Sequence, residues 1–306
     1  AFKHALDIDP DNVHALVNWA ISKIHYFNSL PGSADLTILE EADGLCRRAI
    51  RLEPDNIWAL NAHGVILKKL ERLDQASKVY ERVTELKPDW YAAWVNLGTV
   101  HALQGDLPRA EHHLRLSTTC ATLDDRYAVD TWRNLASLQL HLGKINEAQD
   151  NIRQALECNR DDMASSLIQA RLLLSADPKA AVESGVNANN LAEGREPKVH
   201  RILALAYLRT GRFDMALDSA RKALDGGDIP AINRLILAIA SARLDDLPSS
   251  RSHLDRALAA WPDDCKDERA FRATADKGAL WFESAEELAE LRTQADELID
   301  TGSPVP

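Results

Sequence analysis

Methionine is nearly missing from this chain of 306 residues: there are two, and the first, Met163, lies past the midpoint. Residue 1 is therefore not a translation start, and the chain is read as a piece of a longer protein. Cysteine is scarce as well. Cys46, Cys120, Cys158 and Cys265 share no close spacing, which excludes a zinc knuckle, a redox pair and an evident disulfide framework and points to a reducing, cytoplasmic compartment. Cations are outnumbered, 36 Lys and Arg against 47 Asp and Glu, a net charge of −11. Sequence-independent nucleic-acid binding depends on clustered cations, so nucleic acid is not an expected partner. The most apolar run, Leu235 to Ala242, falls far short of the roughly 20 residues of a membrane span, and the amino end has no charged-then-apolar signal. No membrane association is expected. Hydrophobic residues at 45% and charged residues at 27% suit an ordinary soluble fold.

The motifs of catalysis are missing too: there is no Gly-rich phosphate loop, no HExxH and no nucleophile elbow. His112 and His113 are adjacent, so on a helix they point about 100° apart and do not share one metal site; they read as surface residues. No catalytic residue, metal or cofactor is expected, and the chain is read as not an enzyme.

What the sequence does contain is a period. Pro54 and Pro88 lie 34 residues apart, each followed by Asp and each preceded by a helix-like run. A 34-residue frame from Ile57 puts Gly64 at position 8, Ala76 at 20, Tyr80 at 24 and Pro88 at 32. The next frame, from Tyr91, has Trp94, Leu97, Gly98, Gly105 and Ala110 at positions 4, 7, 8, 15 and 20. After a four-residue insertion near Asp124 to Tyr127, Val129 opens a frame with Trp132, Leu135, Ala136, Gly143, Ala148 and Ala155. Frames from Met163, Pro197 and Ala231 follow. Backwards, Val13 opens a frame carrying ten extra residues near Asn28 to Leu36, and Phe2, Ala5 and Pro10 fit the end of a repeat whose first helix is absent.

This pattern resembles the tetratricopeptide repeat (TPR). The resemblance implies an all-α fold, a right-handed superhelical solenoid of antiparallel helix pairs. Its array covers 1–264, with a half repeat at 1–12 and repeats starting near 13, 57, 91, 129, 163, 197 and 231. Small residues at positions 8, 20 and 27 let helices approach closely, large ones at 4, 7, 11 and 24 fill the gaps, and glycine at 15 supplies a left-handed helix end. Asp and Asn after the terminal proline, as at Asp11-Asn12, Asp55-Asn56 and Asp161-Asp162, are placed to cap the next helix. Residues 265–300 read as a degenerate helix and an acidic capping helix, opened by the box Ser284-x-x-Glu287 and carrying Leu288, Leu291, Ala295 and Leu298 on one stripe. Residues 301–306 are a tail.

TPR arrays bind protein or peptide partners in a concave groove lined by positions 2, 5, 6, 9, 12 and 13 of the first helices. Here the resemblance implies a polar first half, with Trp58, Asn61, Asn96, Thr99, Arg133, Asn134 and Ser137. The second half is apolar and cationic, with Leu167, Arg171, Leu174, Arg201, Leu205, Leu208, Arg209, Leu235, Ile239 and Arg243. Asn18, Asn96 and Asn134 share position 6, where an amide either holds the main chain of an extended peptide or is simply the common residue. Trp58 is either a groove anchor or packed on the next repeat, near Trp90. The arginines either take carboxylates, a phosphopeptide or an acidic or amphipathic helix, or balance acids on the rim. The chaperone-tail clamp of some TPR proteins fails here, since only Asn96 matches while Val65, Asp130 and Asn134 stand where Asn and two cations are needed.

The insertion with Leu30-Pro31-Gly32-Ser33 is either a contact or a tolerated loop. The expected function is a non-catalytic scaffold that recognises a partner through the groove. The alternative is a regulatory or substrate-recruiting tail of a larger enzyme, such as a bacterial serine/threonine kinase or a glycosyltransferase, with the catalytic domain upstream. Self-association through the truncated first repeat is a third expectation.

Overall fold

The computed structural model describes residues 2–30, 35–122, 125, 128–228, 230–259, 291, 293–295 and 297–298. The heart of the first insertion, most of the second, the degenerate helix, the capping box and the tail lie outside the described residues. Among the described residues there are helices and no strands. The chain divides into two compact units, Ala1–Leu135 and Ala136–Pro306.

Unit 1 holds α1 (Phe2–Ile8), α2 (Val13–Ser29), α3 (Thr37–Leu52), α4 (Ile57–Lys69), α5 (Leu73–Leu86), α6 (Tyr91–Leu103), α7 (Leu107–Cys120) and the start of α8 (Val129–His141). Unit 2 holds the rest of α8, then α9 (Ile145–Cys158), α10 (Met163–Ala176), α11 (Pro178–Leu191), α12 (Pro197–Arg209), α13 (Phe213–Asp225), α14 (Pro230–Arg243) and α15 (Leu247–Ala259). Helices pair in order, α2 with α3, α4 with α5 and α6 with α7 in unit 1, and α10 with α11, α12 with α13 and α14 with α15 in unit 2. Within a unit each pair also packs on the next.

Local chemistry sets these bounds. Asn12 Oδ1 accepts the Ala15 N–H at 2.9 Å, Asn56 Oδ1 accepts that of Ala59 at 3.0 Å, and Asp162 accepts that of Ser165 at 2.8 Å. Each satisfies a donor that the first helical turn leaves open. Between α6 and α7, α8 and α9, and α12 and α13 the chain turns through one left-handed residue, Gly105, Gly143 or Gly211, at φ 79°, 71° and 72°.

Packing within a pair sets a small residue against a large one. A Cβ on Gly64 would stand 2.6 Å from Tyr80 Cζ, and one on Gly98 2.7 Å from Leu114 Cγ. Tyr80 and Leu114 are buried by that approach. In unit 2, Leu291, Ala295 and Leu298 are buried in the same core as Leu254 and Ala257. No helix among the described residues is long and apolar enough to cross a membrane.

Candidate functional site

In unit 1, α2 and α4 enclose a cleft of about 410 Å³ lined by His14, Val17, Asn18, Ile21, Asn56 and Trp58. Trp58 is 57% exposed although apolar, and it is held in place by Trp90, whose ring meets it edge-on at 5.2 Å between centroids. Such a pairing contributes about 0.5–1.5 kcal/mol beyond burial and fixes the indole at the mouth of the cleft. Trp90 is thus the neighbour of Trp58, and the indole also lines the cleft.

Further along α4 the residues Asn61, Val65 and Lys68 follow Trp58 at helical spacings that keep them on one stripe. Lys68 Nζ donates to Asn96 Oδ1 at 3.4 Å, and Asn96 Nδ2 donates to Asn61 Oδ1 at 3.2 Å. Asn61, Lys68, Asn96, Thr99, Arg133 and Asn134 are all half-buried. Thr99 turns its hydroxyl back to the Val95 carbonyl at 2.7 Å, and Arg133 pairs with Asp130 one turn away. Lys68, at position 12, was open to discovery from the repeat frame alone, since that position faces the groove in the family. Burial, with Lys69 next to it, lowers its pKa, while the field of Asp130 opposes that shift.

Unit 2 corrects the sequence expectation. Arg201 is 4% exposed, and its Nη1 donates to Asp228 Oδ1 at 2.5 Å, with Asn233 Nδ2 on the other carboxylate oxygen at 3.3 Å. Arg201 is used inside the fold and does not reach out to a partner. Leu205, 1% exposed, is core as well, together with Leu167, Leu235 and Ile239. The physical cause is the packing of α12 on α10 and α14, made close by Ala170, Ala204, Ala238 and Ala240, which closes apolar positions on one another. Arg171 is half-buried, and Arg209 and Arg243 remain exposed. A separate hollow of about 380 Å³ lies among α11, α12 and α13, with Asp214, Met215 and Asp218 among its lining residues; Lys222 closes on Asp218 at 2.7 Å.

The histidine pair is also rearranged relative to expectation. His112 is exposed, but His113 is half-buried and stacks between Trp94, at 5.7 Å, and the buried His101, at 5.2 Å. Burial first, then His101, His112 and Arg109, push the His113 pKa down to about 4. Among the described residues no group of three or more His, Cys, Asp or Glu is placed to hold a metal.

Sequence models of the tetratricopeptide repeat match residues 61–120 and 203–264, and a second such model matches 129–162. With the helix pairs described above, this places the chain in the tetratricopeptide repeat family, whose members are repeat scaffolds of the kind that mediate protein–protein interaction. Among curated proteins it is similar to the tetratricopeptide repeat-containing protein trd-1 of Caenorhabditis elegans, 29% identical over 173 residues that make up 55% of this chain and 22% of that protein. It is also similar to the human protein O-mannosyl-transferase TMTC3, 26% identical over 211 residues, 58% of this chain and again 22% of the relative. The chain thus spans about a fifth of the length of these relatives. Among solved structures, a chain of the APC/C hetero-tetramer Cut9–Hcn1 shares the fold with a TM-score of 0.67 at 15% identity, covering 98% of this chain and 51% of that one. A tetratricopeptide repeat protein from Parabacteroides merdae matches with a TM-score of 0.56 at 13% identity, over 93% and 98% of the two chains.

Proposed function

We propose that the chain is a non-catalytic scaffold that holds an extended segment of a partner protein against the first helices of unit 1, along α4. The observation that carries this reading is Trp58, exposed at the mouth of a cleft and braced from behind by Trp90. Tryptophans in such settings are typical hot spots, whose truncation costs 2 kcal/mol or more of binding. Beside it in the cleft stands Asn18, whose amide carries both a donor and an acceptor for a passing main chain, and further along α4 lies Asn61, whose oxygen accepts from Asn96. We propose separately that Arg209 and Arg243, exposed in unit 2, meet acidic groups of a partner.

The test is affinity capture from the native lysate with the parent chain and Trp58→Ala side by side. A partner held by the parent and lost by a variant with an unchanged thermal melt supports the reading. Identical captures would sink it.

A second reading is favoured by one observation: both curated relatives are several times longer than the matched region, and one is named as an O-mannosyl-transferase. Here the array is the substrate-recruiting part of a larger enzyme. The coding sequence that flanks residue 1 in the parent gene decides this: a catalytic domain there supports it, and further repeats alone reject it.

A further inference from the structure

We propose that the groove of unit 1 selects a partner segment by an Asp or Glu side chain seated on Lys68, spaced along the segment from the side chain that packs on Trp58. This rests on the groove reading above and gives it a specificity.

Lys68 is a half-buried ammonium, and its one protein hydrogen bond among the described residues is to Asn96 Oδ1 at 3.4 Å, longer than the usual 2.7–3.2 Å range. No carboxylate among the described residues lies within ion-pairing distance of it. Three other lysines have a partner of their own: Lys23 pairs with Glu41, Lys222 with Asp218, and Lys69 lies 5.7 Å over the Phe27 ring. Asp130, whose field reaches Lys68, is held by Arg133. Buried charges are normally paired, so an ammonium left in this state has room for a counter-charge from a partner.

The amides beside it sharpen the requirement. An ammonium can only donate, so Asn96 must turn its oxygen to Lys68 and its NH₂ toward Asn61. Asn61 in turn accepts with its oxygen, which leaves its own NH₂ as the donor at that end. The row Lys68–Asn96–Asn61 therefore ends in N–H groups on both sides. A neutral main chain offers donors and acceptors alike, whereas a carboxylate offers acceptors alone and the missing negative charge. Along α4, Lys68 is ten residues from Trp58, about 15 Å at 1.5 Å per residue. An extended chain covers that in about four to five residues at roughly 3.3 Å each.

The proposal is tested by panning a random twelve-residue peptide library, tethered by its carboxyl end so that side chains alone supply carboxylates, against the parent, Lys68→Met, Lys68→Arg and Trp58→Ala. The parent is expected to enrich peptides with an acid about four to five residues from an aromatic or aliphatic one. Lys68→Met should keep the apolar preference and lose the acidic one, and Lys68→Arg should restore it. For a selected peptide, Glu→Gln should weaken binding about tenfold on the parent, the scale of a charge-assisted hydrogen bond, and leave Lys68→Met unaffected. Enriched peptides without an acid, or an acid preference that survives Lys68→Met, overturn the assignment while the groove reading stands. A peptide whose sole carboxylate is its free carboxyl terminus, bound as tightly as the Glu peptide, overturns the side-chain source. No enrichment at all, or enrichment untouched by Trp58→Ala, overturns the groove reading and this inference with it.

Discussion

Unit 1 and unit 2 are built from the same helix pairs, yet their first helices meet different fates. In unit 1, α4 keeps Trp58, Asn61 and Lys68 on a stripe in contact with solvent. In unit 2, α12 is buried without a break from Val199 to Tyr207. The difference lies in the neighbours: α10 and α14 offer Ala170, Ala238 and Ala240 to α12, and the one charged side chain drawn into that packing, Arg201, is met there by Asp228. One repeat position can therefore be a ligand face in one place and core in another, and the size of the residues on adjacent first helices decides which.

The largest test of this contrast is Arg201→Met. It leaves Asp228 buried without its main partner, and removing one member of a buried pair costs about 3–5 kcal/mol. Chemical denaturation should show a large loss assigned to unit 2, and adding Asp228→Asn should recover part of it. If Arg201→Met is tolerated, the pair is not an interior feature and the contrast fails.

In unit 1 the stress point is steric instead. Gly64→Ala drives a methyl into the Tyr80 ring, where 2.6 Å is available, and overpacking of this kind costs about 1–3 kcal/mol. Tyr80→Leu in the same background should relieve it, read by the same unfolding curves.

The smallest effect expected is with pH. His63 and His113 in unit 1 both have pKa values lowered by burial, so the unfolded chain takes up protons first as pH falls below the ordinary 6.5. The stability these rings contribute is complete above that point and is lost on acidification toward about 4 for His113. The groups facing His113 are His101, His112 and Arg109, which oppose its protonation, and Asp106, which favours it. Unfolding midpoints taken from neutral pH down to about pH 5 should fall less steeply for His113→Phe than for the parent. An equal slope removes His113 from the account.

Much of the fold was legible because its determinants are local and repeated. Gly64 against Tyr80 and Gly98 against Leu114 are fixed spacings within one frame, and the caps Asn12, Asn56 and Asp162 act over three residues. The site was less legible because it depends on what lies across a turn. Arg201 and Asp228 are 27 residues apart, and their pairing follows from where the loop after α13 returns. His113 looked superficial from its sequence neighbours, and it is Trp94 and His101 on the opposite helix that enclose it. Lys68 was within reach of the frame, but its contact with Asn96, 28 residues on, depends on how two repeats pack.

The left-handed turn between paired helices has a consequence of another kind. At Gly105, Gly143 and Gly211 nothing lies within 4 Å of where a side chain would begin, and at the same repeat position Glu71 and Asp245 take up the left-handed torsion at φ 58° and 61°. This residue answers to a backbone angle and to no neighbour. The turn inside a repeat is thus a neutral joint: the two helices that it links can diverge in sequence without the joint itself having to be redesigned.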